Sequence, residues 1–207
     1  IDLGAPEPTG RSLTTTADVG PAPLPFAVDE HSLGLLTSQA AVWFELATGR
    51  EIFRVDVERP ERVEAVFCVA DAETYYLIVS GPRRPEAAQM LLHPRWHRSP
   101  LVSGVLLAID RQDGSLRWRS NVTDTNCPLD PPKSVPFLNL TSVNWPKDNA
   151  TAPSSSSLAL VDKRSGQTMI RTNDPGDGQH LIRPNASQRT ISVRTRTKEL
   201  RLEYSPK

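Results

Sequence analysis

Ala108-Ile109-Asp110-Arg111-Gln112-Asp113-Gly114-Ser115-Leu116-Arg117-Trp118-Arg119 decides the fold, because its pattern occurs three times. The other copies are Trp43–Arg54 (WFELATGREIFR) and Leu160–Arg171 (LVDKRSGQTMIR). Counted from the central glycine, position −4 is acidic in each (Glu45, Asp110, Asp162). Position −1 is a short oxygen-bearing side chain (Thr48, Asp113, Ser165), position +4 is large and apolar (Phe53, Trp118, Ile170), and position +5 is Arg54, Arg119 or Arg171. An apolar strand runs in, turns at the glycine and runs out again. Gly49, Gly114 and Gly166 are therefore expected at hairpin turns with positive φ, where a Cβ would be strained. The side chains at −4 and −1 can accept hydrogen bonds from the turn's own N–H groups. The bulky residue at +4 is placed to pack on a neighbouring unit, which predicts Trp118 buried between adjacent sheets, with Phe53 and Ile170 in equivalent places.

The composition agrees with strands. Nineteen prolines and eleven glycines in 207 residues leave little room for long helices. Val63, Ala65, Phe67 and Val69 alternate with smaller or polar neighbours, and Asp71–Thr74 turn the chain into Tyr75–Ser80. Near the end, Ile191, Val193 and Thr195 share one face, and Leu200, Leu202 and Tyr204 another, across a turn near Thr197-Lys198.

The three copies resemble the repeat of quinoprotein-type (PQQ-like) β-propellers, in outline A-x-D-x-x-T-G-x-x-x-W. The middle copy matches at Ala108, Asp110, Gly114 and Trp118, with Asp113 where the family prefers Thr. The first keeps Thr48 and Gly49 but has Trp43, Glu45 and Phe53 at the Ala, Asp and Trp positions. The third keeps Asp162 and Gly166 but has Leu160, Ser165 and Ile170. The resemblance implies an all-β fold, a partial β-propeller of about three to four four-stranded antiparallel blades, each stacked on the next. The glycines lie 65 and 52 residues apart, more than a compact blade needs. The surplus is expected in long loop insertions at 81–103 and 120–157, both proline-bearing. Residues 1–30, with five prolines, are expected as a linker or lead-in segment, and 31–207 as the blades. Opening on Ile rather than Met, with three motif copies, the chain is expected to be the C-terminal part of a larger propeller. Alone, it is expected to self-associate.

The residues point away from catalysis. Twenty-four basic side chains balance twenty-four acidic ones, so nothing favours nucleic acid or an anionic membrane as partner. No apolar run approaches the roughly 18 residues of a membrane helix, and no signal peptide is visible. There is no nucleophile elbow, phosphate-cradling glycine loop or H-E-x-x-H motif. The acids at −4 recur with the turn and are assigned to it. Quinoprotein dehydrogenases carry adjacent cysteines and calcium-binding acids around their quinone. Here Cys68 and Cys127 are far apart in sequence, and whether they pair is left open. No catalytic, cofactor-binding or metal-binding residue is assigned, and no cofactor is expected. His93-Pro94-Arg95-Trp96-His97-Arg98, with Arg83 and Arg84, is a basic and aromatic cluster, either a solvated loop or a patch for an anion. Pro94 opposes the helix that would bring both His to a metal. Asn121, Asn139, Asn149 and Asn185 head N-x-[ST] sequons, whose use is open.

The functional expectation is a non-catalytic PQQ-like propeller segment acting as a binding or assembly scaffold in the bacterial cell envelope or periplasm. Its partners would be another protein and the remaining blades of its parent chain. Two alternatives stand beside it: a fragment of a PQQ-dependent dehydrogenase whose active site lies outside this chain, and an extracellular ligand- or glycan-binding module.

Overall fold

The computed structural model describes residues 22–82, 100–129, 135–144, 155–175, 181–194 and 198–204, and these contain strands and turns with no helix. Four antiparallel units follow one another. Unit 1 is β1 (Leu24–Ala27), β2 (Ser32–Leu36), β3 (Ala40–Glu45) and β4 (Glu51–Asp56), hydrogen-bonded in that order. Unit 2 is β5 (Ala65–Ala70), β6 (Thr74–Ser80), β7 (Leu101–Asp110) and β8 (Leu116–Asn126), and unit 3 is β9 (Phe137–Asn144), β10 (Ser155–Asp162) and β11 (Thr168–Pro175). Unit 4 is β12 (Leu181–Asn185), β13 (Thr190–Arg194) and β14 (Glu199–Glu203).

The inner strands are buried on both faces, as stacked blades require. Along β6, Tyr75, Leu77 and Val79 join a core with unit 1 residues including Leu36, Trp43 and Val55. The alternate residues Tyr76 and Ile78 face the other way, into a core with Leu138, Leu140 and Ala159 of unit 3. On β10, Ala159 and Val161 face unit 2 while Leu158 and Leu160 join Ile191 and Val193 of unit 4. Three cores thus link the four units in series, which is the architecture of a partial β-propeller. This explains why β6 and β7 are continuous apolar runs: a strand covered on both sides has no polar face. The final strands of units 1 to 3 are more exposed and carry the polar alternation, as in the pattern of β4.

Two details depart from evenly spaced four-stranded blades. Among the described residues units 3 and 4 have three strands each, and units 2 and 3 share one seven-stranded sheet, because Thr125 and Asn126 at the end of β8 pair with Ser142 and Thr141 of β9. The stretch 120–157, expected as an exposed loop, therefore contains the end of β8, all of β9 and the start of β10. Its prolines flank the strands instead of interrupting them: Pro136 precedes β9, and Pro146 follows it. Between them Phe137 and Leu138 enter opposite cores, the alternation of a strand covered on both faces. Likewise β1 lies within the stretch expected as a lead-in, and Leu24–Ala27 pair with Leu33–Leu36. β7 begins at Leu101, inside the other expected insertion.

Candidate functional site

The three motif turns superpose in their bonding. The glycine N–H donates to the carbonyl of the acid at −4 in each: Gly49 to Glu45 at 2.8 Å, Gly114 to Asp110 at 3.1 Å, Gly166 to Asp162 at 2.9 Å. The acid's own N–H donates to the residue after the glycine, at 2.9, 2.8 and 2.9 Å for Arg50, Ser115 and Gln167. The glycines have φ of 69°, 76° and 71°, as expected. Each hairpin also carries a bulge at the same step, so that Trp43 faces Phe53, Ala108 faces Trp118 and Leu160 faces Ile170.

The acids at −4 are consumed by this turn. Asp110 Oδ1 accepts from the Gln112 N–H at 2.8 Å, and Asp162 Oδ1 accepts from Arg164 and Ser165 N–H at 3.0 and 2.8 Å. Glu45 Oε2 instead accepts from the Thr48 hydroxyl at 2.5 Å, which holds its carboxyl below the usual range. Asp110 is held low by the guanidinium of Arg117, whose Nη2 lies 2.6 Å from Oδ2. These are groups stabilised as anions, the opposite of a general acid poised near neutrality. At −1, Asp113 Oδ1 accepts from the Ser115 N–H at 2.8 Å, and Thr48 and Ser165 do the same for Arg50 and Gln167 at 3.2 and 3.3 Å.

In the first two copies the residue at +4 packs on the next unit's turn glycine. A Cβ on Gly114 would lie 2.5 Å from Phe53 Cγ, and one on Gly166 would lie 2.7 Å from Trp118 Cγ. Trp118 is buried, and its Nε1–H donates to the Lys163 carbonyl at 2.8 Å. Phe53 stands partly buried in the core between units 1 and 2, against Trp43 at 4.9 Å between ring centroids. Ile170 is partly buried in the core shared with unit 4. Gly114 and Gly166 are thus each required twice, for φ and for the ring above.

A second contact between units went unread in the sequence. Position −3 is basic in the second and third copies, and each cation reaches back to an aspartate of the preceding unit. Arg111 Nη2 lies 3.5 Å from Asp29 Oδ2, with its guanidinium 4.7 Å above the Tyr75 ring. Lys163 Nζ lies 3.2 Å from Asp71 Oδ2, both side chains nearly buried. The two aspartates occupy equivalent turns: Asp29 Oδ1 accepts from the His31 N–H, and Asp71 Oδ1 from those of Glu73 and Thr74. Burial alone would raise the Asp71 carboxyl; the Glu73 N–H, the Lys163 ammonium and the Tyr76 hydroxyl outweigh it and hold it below the usual range. The available signal was Asp-x-x-Ser/Thr before a strand, at Asp29–Ser32 and Asp71–Thr74.

Other singled-out residues do not join these. Cys68 and Cys127 are both free thiols, in different cores, and burial pushes each up to about 12. His93–Arg98, Arg83, Arg84 and Asn149 lie outside the described residues. Asn121 and Asn185 are exposed, and Asn139 is half-buried in β9. Asp124 is buried at φ 43°, and its N–H donates to the Ser103 hydroxyl at 2.9 Å. No helix among the described residues is long and apolar enough to cross a membrane.

No family model matches the chain, and no curated protein is similar to it in sequence. Among solved structures it is similar to hydrazine synthase from Kuenenia stuttgartiensis, at a TM-score of 0.44 and 12% identity over 82% of this chain and 42% of that one. It is also similar to the WD40 domain of SCAP from fission yeast, at a TM-score of 0.36 and 8% identity over 82% of this chain and 36% of that one. The chain spans less than half the length of either. Similarity at this level transfers no chemistry. The propeller architecture rests on the strand pairing and the serial cores, and the quinoprotein resemblance rests on the motif copies.

Proposed function

We propose that the chain is a non-catalytic binding or assembly scaffold of PQQ-like repeat type, working in the bacterial cell envelope together with further blades of its parent protein. What supports this reading above all is the fate of the repeated polar residues. The acids at −4, the oxygens at −1 and the cations of copies two and three each have a partner within the turn or in the adjoining unit. A framework that uses its recurring polar groups to hold successive sheets together leaves its rim and loops for recognition. Exposed apolar side chains are available for this, among them Ile52 on β4, Leu116 on β8 and Met169 on β11. Supplying PQQ and calcium to the full-length polypeptide is expected to yield no dye-coupled oxidation of alcohols or sugars, and turnover would replace this reading with a dehydrogenase. A photo-crosslinker at Leu116 or Met169, activated in cells, is expected to give one discrete protein adduct in the envelope fraction. Adducts found only in the cytoplasm would overturn the localisation.

A further inference from the structure

Unit 1 has the same turn as units 2 and 3 but lacks what covers theirs. Gly49 has their φ and their turn hydrogen bonds, yet among the described residues nothing lies within 4 Å of where its Cβ would stand. Gly114 and Gly166 are each roofed by the +4 ring of the unit before. Position −3 differs in the same direction. Arg111 and Lys163 meet an aspartate of the preceding unit, whereas their equivalent in unit 1 is Leu46, uncharged and 54% exposed.

We infer that the face of unit 1 around Gly49 and Leu46 is the docking site for one further antiparallel blade of the same polypeptide, carrying an aromatic side chain four residues past its own turn glycine. Opposite Leu46 that blade has an uncharged residue where units 1 and 2 have Asp29 and Asp71, because a carboxylate desolvated against leucine would have no compensating cation. A second copy of this chain fits poorly as occupant: Phe53 and Trp118 already cover glycines, and Ile170 is packed against unit 4. Residues 1–21 contain no Phe, Trp or Tyr and cannot supply the ring.

The inference rests on the scaffold reading only in taking further blades to belong to the protein, and its test is independent of activity or crosslinking. A proton held against the face of an aromatic ring resonates upfield, so the Hα signals of Gly114 and Gly166 are internal standards for a covered turn. They are expected upfield in the 207-residue chain, with Gly49 at an ordinary position. In the polypeptide as its native cell synthesises it, the Gly49 Hα is expected to move upfield into the range of the other two. A Gly49 signal unchanged between the two proteins would overturn the inference. So would an upfield Gly49 signal in the 207-residue chain alone. If concentration-dependent, that signal would assign the slot to a second copy. If concentration-independent, it would assign it to a ring within the chain, such as Trp96 or Trp145. Loss of the scaffold reading through quinone-dependent turnover would leave the Gly49 result standing.

Discussion

The indole of Trp118 reaches from unit 2 across to the turn of unit 3, where its Nε1–H donates to the Lys163 carbonyl at 2.8 Å and its ring covers Gly166. Burial and a directed hydrogen bond coincide in one side chain, so this contact fixes both the distance and the rotation of one unit on the next. Trp118→Ala is expected to cost about 3–5 kcal/mol through the cavity it leaves. Trp118→Phe keeps most of the ring and loses the bond, for about 1 kcal/mol. Denaturant unfolding of both variants checks the pair, and a loss below about 1 kcal/mol for the alanine variant would place the ring outside the core.

The three turn glycines are expected to respond unequally. Gly49→Ala meets no described residue, so it is charged only with the left-handed backbone, about 1–2 kcal/mol. Gly166→Ala adds a clash with Trp118, and Gly114→Ala a clash with Phe53, each expected to raise the loss by a further 1–3 kcal/mol, roughly the scale of overpacking. Equal losses at all three positions in the 207-residue chain would mean that the rings can move away.

Trp43 offers the reverse case. It is fully buried, yet its Nε1–H has no hydrogen-bond partner among the described residues. Trp43→Phe removes the orphaned donor along with part of the ring, so the two effects oppose. The variant is expected within about 1 kcal/mol of the parent, against about 3–5 kcal/mol for Trp43→Ala. A phenylalanine variant as unstable as the alanine one would show that the indole's volume decides.

Acid should loosen the contact between units 2 and 3. Asp71 is held as an anion in the folded state, so its folded pKa lies below its unfolded value of about 3.9. Its contribution is therefore complete above that value and lost as pH falls through the folded pKa. Asp71→Asn is expected to lose about 2 kcal/mol at pH 7, the scale of a hydrogen bond to a charged group, and to lose less than the parent between pH 5 and pH 2. Glu45, Glu51 and Asp110 shift in the same direction and act in both proteins, so the difference between the two urea-unfolding profiles isolates Asp71. Parallel profiles would remove the carboxylate from the contact.

Both cysteines should be silent until the chain unfolds. Thiols pushed up to about 12 by burial supply almost no thiolate at pH 8. Labelling with a thiol-reactive chromophore is expected to be slow for the folded protein and to reach two thiols per chain in denaturant without reductant. Fewer than two would mean that Cys68 and Cys127 had paired.

Local chemistry made the turns legible in the sequence. Each closes on itself within six residues, from the acid at −4 to the residue after the glycine, so Glu45–Arg50, Asp110–Ser115 and Asp162–Gln167 carry their own instructions. Strand β5 and the pairing of β13 with β14 were equally local, although β5 is covered on both faces and shows no one-sided alternation. What the tertiary structure alone decided joins residues distant in the chain. Arg111 meets Asp29, Lys163 meets Asp71, and β8 continues into a pair with β9, fusing two units. The sequence repeats a cation at −3 in two copies and Asp-x-x-Ser/Thr at two turns, but which aspartate each cation meets is selected by how one sheet sits on the next. The prolines of 120–157 misled for a related reason. Proline forbids a strand only where its missing N–H would pair, and here the strand lies between the prolines. Gly49, uncovered among the described residues, belongs to the same class: its turn glycine reads like the other two, and only the stacking of unit 2 on unit 1, and of unit 3 on unit 2, shows what covering means.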